Sequence, residues 1–113
     1  MQMFDFNAMS QPTWPVKLRD EGQTVVILSS PSLELAERLA AVGGELKEAV
    51  KKKDGKTIQA TFAVIAEVMS CNEDGFTFTA EELRDRYHMT LLDATRFVSG
   101  YVDFLQEANS AKN

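Results

Sequence analysis

The sequence predicts an α+β domain that is mainly α-helical, with about four helices and a small N-terminal antiparallel β-hairpin or meander. Three patterns support this class: alternating apolar residues before residue 30, helical spacing of apolar residues after it, and one nearly continuous apolar stretch near the middle. A chain of 113 residues, 44% of them hydrophobic, can supply one core. We therefore expect a single domain, 1–113, with a β-rich part (1–30), a helical part (31–108) and a frayed polar tail (109–113).

The first thirty residues carry the alternation that is typical of half-buried strands. Phe4 to Phe6 places two aromatic residues around a carboxylate, and Trp14 to Arg19 alternates again. Asp20 to Gly22 indicates a turn, and Thr24 to Leu28 is a β-branched run. These segments predict an antiparallel hairpin or a three-stranded meander, in which Pro15 restricts its strand to an edge.

The first helix is predicted to begin at Ser30-Pro31, because serine caps helix N-termini and proline is tolerated at the first helical position. A stripe of apolar residues three or four apart then runs from about Leu33 to Lys53. Asp54-Gly55 is interpreted as the stop signal of this helix. Inside it, Gly43-Gly44 indicates either a kink or the close approach of a neighbouring segment.

The stretch from Thr57 to Cys71 is apolar almost all round and predicts the central helix of the domain, covered on most sides. Phe76 to Phe78 predicts a short extended piece that either pairs with the N-terminal sheet or fills a gap. Thr79 followed by Glu82 is a capping box that begins a short third helix, and Thr90 begins the last helix in a similar way.

The last helix has an apolar face that is wider than one packing neighbour needs. The extra width predicts either a second contact within the chain or an exposed surface for a partner. We take Phe97, Tyr101 and Phe104 of this face as candidate partner-binding residues. The face consists of Leu91, Ala94, Phe97, Val98, Tyr101, Val102, Phe104 and Leu105.

Glu67 is the one charge in the middle of the apolar central stretch, and it is the fourth candidate partner-binding residue. An unpaired buried carboxylate would cost several kcal/mol, so this side chain must reach solvent, an arginine or a partner. Two interpretations stay open: a narrow exposed strip on the central helix, or a contact to another subunit of a homo-oligomer.

Charge and composition exclude some classes of partner and location. The net charge of −5 repels a phosphate backbone, so we expect no nucleic-acid partner. No apolar stretch approaches the roughly 20 residues that cross a bilayer. The N-terminal residues show no basic segment followed by an apolar run and a small-residue cleavage site, so we expect no secretory leader. Cys71 is the single cysteine and cannot form an internal disulfide. We expect a protein of a reducing cytoplasm with no membrane association.

Little in the sequence points to catalysis, and we expect a protein that is not an enzyme. His88 is the only histidine and has no nucleophile or carboxylate at a spacing that indicates a catalytic group, so we interpret it as a boundary residue. Cys71 lies in an apolar stretch and is interpreted as packing. The glycines match neither dinucleotide nor phosphate-loop patterns. We therefore predict no catalytic residue, no cofactor and no metal.

The order of these segments resembles the tail assembly chaperones of long-tailed bacteriophages. The resemblance rests on Phe4 to Phe6, Trp14 to Leu28, the Gly75 to Phe78 lead into Thr79 to Leu83, and the final Phe97 to Leu105 helix. It spans nearly the whole chain. It implies a chaperone that binds and solubilises the tape measure protein, helps to recruit tail tube subunits in the host cytoplasm, and is absent from the mature virion.

The same resemblance implies a longer product made by programmed frameshifting near the C-terminus. Ala111 to Asn113 can be encoded as GCA AAA AAC, which contains a slippery run, and any other codons there would exclude this slip site. The alternative function is a small adaptor or regulatory protein that binds one host or phage protein stoichiometrically. A small enzyme would need a pocket centred on His88 with a carboxylate nearby.

Overall fold

The computed structural model describes Met3 and residues 12–110. It confirms the mainly helical α+β class, with a two-stranded antiparallel hairpin before the helices. The predicted strand Phe4 to Phe6 and the tail residues 111–113 lie outside the described residues, and the last helix continues past residue 108. In chain order the elements are β1 (Trp14–Lys17), β2 (Val25–Leu28), α1 (Leu33–Lys52), α2 (Gly55–Met69), α3 (Ala80–Asp85) and α4 (Leu91–Ser110).

The hairpin pairs β1 with β2 in a register that places Trp14 opposite Leu28 and Lys17 opposite Val25. The predicted turn is confirmed, and Asp20 closes it by accepting hydrogen bonds from the backbone N–H and the hydroxyl of Thr24, at 2.9 and 2.8 Å. These two bonds lower the pKa of Asp20 below its ordinary value.

The second edge of β2 is covered by the segment that follows α2. The N–H of Ser29 donates to the carbonyl of Cys71 at 2.7 Å, and the N–H of Glu73 donates to that of Ile27 at 3.0 Å. The prediction offered Phe76 to Phe78 for pairing with the sheet or for filling a gap. The structure supports the second role, because Phe78 is buried in the core, whereas residues 71–73 make the pairing.

The structure corrects the predicted start of α1 and confirms its predicted end. Ser32, not Ser30, is the N-cap, with its hydroxyl accepting from the N–H of Leu35. Helix α1 ends at Lys52, and its C-cap Lys53 has a left-handed conformation with φ 56°. Asp54 takes part in both helix ends: its N–H donates to the carbonyl of Ala49 at 2.8 Å and closes α1, as the predicted stop signal requires, while its carboxylate accepts from the N–H and the hydroxyl of Thr57 and caps α2.

Helix α2 is the centre of the fold and packs against α1, α3 and α4. It begins at Gly55 rather than at the predicted Thr57, and it ends at Met69. The caps predicted for the two later helices are confirmed. Thr79 and Glu82 form a reciprocal capping box for α3, and the side chains of Thr90 and Asp93 accept from each other's backbone N–H at the start of α4.

Gly43 marks a close approach between α1 and α4. A Cβ atom at this position would lie 2.5 Å from Cγ1 of Val98, a buried β-branched residue with little rotamer freedom. At Gly44 the corresponding space is empty to 4 Å. Helix α1 runs through both glycines, so of the two predicted roles the structure supports close packing, at Gly43 alone.

The glycine pair provides a matched test of this contact. We expect Gly43→Ala to lower the free energy of unfolding by about 1–3 kcal/mol, because the added methyl group overpacks the α1–α4 interface. We expect Gly44→Ala to raise it by about 0.5–1 kcal/mol through helix propensity alone. Urea unfolding followed by circular dichroism measures both. Equal effects of the two substitutions would contradict the close approach.

Candidate functional site

The predicted partner-binding aromatics of α4 belong to a cluster around Trp14 of β1. The ring centroid of Trp14 lies 5.5 Å from Phe97, 5.4 Å from Tyr101 and 5.9 Å from Phe104. A Cβ atom on Gly100 would lie 3.3 Å from the indole, so the glycine lets Trp14 sit close to the α4 backbone. The broad face of α4 is therefore a second contact within the chain, which was one of the two alternatives.

Tyr101 is fully buried and is not available as a surface residue in this fold, which corrects its interpretation as a partner-facing side chain. Burial raises its pKa to about 12. Its hydroxyl donates a long hydrogen bond, 3.4 Å, to the carbonyl of Ser29. Phe97 and Phe104 are half-buried and keep part of their surface exposed.

Glu67 lies on the exposed side of α2 and pairs with Arg38 of α1. The two terminal guanidinium nitrogens of Arg38 donate to the carboxylate, one of them at 3.1 Å, and the Glu67 side chain stays 49% exposed. The expectation that this carboxylate would reach solvent or an arginine is met. Its predicted contact to another subunit remains a prediction.

An open apolar pocket of about 320 Å³ lies between β1, the segment that follows it, and the α3–α4 junction. Its floor is buried and consists of Leu18, Met69 and Leu83. Its walls are half-buried and consist of Val16, Tyr87, Met89 and Phe97. Methionine adapts its shape to different apolar groups, so this lining suits a varied set of side chains. The sequence predicted only Phe97 of these residues as a contact for a partner.

Arg19 connects the hairpin to the start of α4 at the rim of this pocket. Its two guanidinium nitrogens donate to the two carboxylate oxygens of Asp93 at 2.9 and 3.0 Å, and one of them also donates to the carbonyl of His88. The N–H of Thr90 donates to the same carboxylate at 2.9 Å. These donors hold the pKa of Asp93 well below its ordinary value, with the Arg19 hydrogen bonds as the largest cause.

Two further cationic side chains lie at the rim, Lys17 and Arg96, and both are exposed. Neither has an ion-pair partner within residues 12–110. Asp93 is the one carboxylate among the residues that line the pocket, and Arg19 already neutralises it. The mouth of the pocket is therefore positively charged, although the chain as a whole carries a net charge of −5.

A separate exposed apolar patch lies where the end of α1 meets the start of α4. Val50, Leu91 and Leu92 are 42%, 38% and 56% exposed there, beside Lys47 and Lys51. The sequence analysis assigned Leu91 to the apolar stripe of the last helix, but in the structure this first turn of α4 faces outward. This patch is apolar and exposed but lies outside the pocket, so substitutions in it can serve as controls for substitutions in the pocket.

The two residues considered for chemistry lie outside the pocket lining. His88 is exposed, has φ 53°, and offers its carbonyl to Arg19, as a boundary residue between α3 and α4 does. Cys71 is half-buried just after α2, and its thiol lies 3.5 Å from the carbonyl oxygen of Glu67. Among the described residues, no group of three metal-ligating side chains is present and no helix could cross a membrane.

Comparisons with protein-family models, curated proteins and solved structures gave no match. The pocket itself left only partial signals in the sequence. The alternation from Trp14 to Arg19 indicated that Val16 and Leu18 share a face, and the interpretation of His88 as a boundary residue placed its neighbour Met89 near a helix junction. That these two segments meet depends on the packing of the hairpin against α4, which no local pattern encodes.

The Arg19–Asp93 pair predicts a specific pH dependence. Because the folded pKa of Asp93 is depressed, its stabilisation is present above the ordinary carboxyl pKa of about 4 and is lost as the pH falls through the folded value. We expect Arg19→Met to flatten the loss of stability below about pH 4, without abolishing it, since Asp20 and Asp54 also have lowered pKa values.

The measurement for this prediction is urea unfolding at neutral and acidic pH. Arg96→Met is the matched control, because Arg96 lies at the same rim without an ion-pair partner among the described residues. The interpretation fails if both variants follow the wild-type pH profile.

Glu67→Leu tests the subunit contact suggested by the sequence. We expect stability to be unchanged or raised, because the Arg38 pair is half exposed to solvent and such pairs contribute little. If Glu67 contacts another copy, light scattering after gel filtration should show lost assembly, and Glu37→Leu on α1 should not. Loss of folding by Glu67→Leu would exclude the assembly role.

Proposed function

We propose that this protein is a non-enzymatic chaperone of phage tail assembly that holds apolar segments of the tape measure protein until the tail tube is built around it. The observation that carries the proposal is the open apolar pocket between β1 and the α3–α4 junction. A pocket with an apolar floor and polar groups only at its rim binds side chains by burial, and it needs no reacting group.

The chemistry at the pocket supports binding more than catalysis. Asp93 is engaged by Arg19 and Thr90, and a carboxyl group with a strongly lowered pKa is a poor general base. The other charged groups of the lining, Lys17, Arg19 and Arg96, are exposed cations at the rim. The enzyme alternative needed a pocket centred on His88, and His88 is not among the residues that line this pocket.

The class of partner comes from the resemblance of the chain to the tail assembly chaperones. The proposal accordingly includes the tape measure and tail tube proteins as partners, the host cytoplasm as the location, and absence from the mature virion. One pocket offers room for one or two bulky side chains, so the affinity of a single copy would be modest. Several copies along one long helical partner would gain avidity.

The size of the pocket also favours the second candidate, an adaptor that binds one protein stoichiometrically. A cavity of about 320 Å³ lies at the small end of ligand sites, which suits a single anchor side chain from one partner. The two functions differ in what is captured. The chaperone would retain a very long helical protein to which many copies of it bind, whereas the adaptor would retain one compact protein in a fixed ratio.

The test is affinity capture of the tagged chain, expressed with its own downstream gene sequence in its native cell, followed by mass spectrometry. We expect wild type and Met89→Leu to retain a very long helical protein, and Met89→Asp to lose it at least tenfold, because a carboxylate in the wall opposes apolar burial. Leu92→Asp, in the exposed patch outside the pocket, is the control and should retain it.

Recovery of one compact cellular protein in a fixed ratio would instead support the adaptor. Capture that is unaffected by Met89→Asp, but abolished by Leu92→Asp, would move the binding surface to the exposed patch and contradict the role of the pocket. Circular dichroism and the emission of Trp14, the single tryptophan, verify that each variant folds.

A further inference from the structure

The distribution of charge around the pocket carries a conclusion about the partner's sequence. Lys17 and Arg96 stand at the mouth without ion-pair partners among the described residues, while Arg19 is occupied by Asp93. In a chain with 17 acidic and 12 basic residues, this mouth has the opposite sign to the whole molecule. Complementary charges across an interface favour the matched partner and disfavour partners of like charge.

From this arrangement we infer that the pocket selects a protein segment in which bulky apolar side chains are flanked by carboxylates, such as an acidic amphipathic helix. The inference rests on the proposed binding function and specifies which segments of a partner the pocket takes. The apolar side chain enters between Val16, Met89 and Phe97, and the flanking carboxylates meet Lys17 and Arg96 at the rim.

A protein segment is favoured over a free small amphiphile by the shape of the site. The cavity is open to solvent and holds about 320 Å³, so it can cover an anchor side chain but not a long alkyl chain. Lys17 lies on β1 and Arg96 on α4, so the two cations come from the two elements that border the pocket. This placement suits carboxylates on both sides of an anchor residue.

The experiment uses three synthetic peptides of about twelve residues, or three helical turns, titrated into the full chain by calorimetry. They share leucine and phenylalanine at helical spacing and carry glutamate, glutamine or lysine at the remaining positions. We expect the glutamate peptide to bind most tightly and the lysine peptide most weakly. The difference should shrink as salt is raised, because the rim cations are exposed.

The paired variant is Lys17→Met with Arg96→Met, which removes two charges and keeps the apolar stems. This double substitution should weaken binding of the glutamate peptide about three- to tenfold and leave binding of the glutamine peptide unchanged. The matched control is Lys47→Met with Lys51→Met, which removes the same charge beside the exposed patch and should leave the order of the three peptides intact.

Equal binding of all three peptides, still abolished by Met89→Asp, would overturn the charge selection and leave the proposed pocket function standing. If no peptide bound and partner capture were also unaffected by Met89→Asp, both the charge selection and the proposed pocket function would be wrong. A charge preference lost in the Lys47 and Lys51 control would assign it to the exposed patch and overturn the inference. If dodecanoate displaced the glutamate peptide at a concentration below that of the peptide, the site would be one for small amphiphiles, and the inference would be overturned as well.

Discussion

The packing of Trp14 against helix α4 is the contact on which the rest of the structure depends. A two-stranded hairpin is at best marginally stable alone, so β1 and β2 need an apolar surface to persist. Gly100 lets the indole sit close to the helix, and Phe97 and Phe104 contact it on either side of Tyr101 along the sequence. This contact fixes the separation of β1 and α4, and the pocket occupies the space that remains farther along both elements.

The hairpin has a second attachment of a different physical kind. Arg19 holds the end of the hairpin to Asp93 and to the carbonyl of His88, so an ionic contact secures one end and an aromatic contact the other. The apolar walls of the pocket lie between these two attachments.

The elements of this fold were predictable where the signal is local, and the site was not. The capping boxes at Thr79 and Thr90 and the alternation of the hairpin follow from neighbouring residues, so sequence reasoning finds them. The stop of α1 at Asp54 was found as well, but the second role of its carboxylate as the cap of α2 was missed. Tyr101 was assigned to a partner because the sequence does not show that Trp14 covers it. Pockets depend on such long-range contacts, which local patterns do not specify.

The pairing of β2 with residues 71–73 has a consequence for the order in which the chain acquires structure. The second edge of β2 and the face of Trp14 are completed by segments that follow much later in the sequence, in the loop after α2 and in α4. On the ribosome, the hairpin is therefore synthesised first and stabilised last, since long-range contacts must wait for their partners to emerge. Until Phe97 and Phe104 are available, the nascent chain leaves fully exposed an indole that the finished fold half-buries.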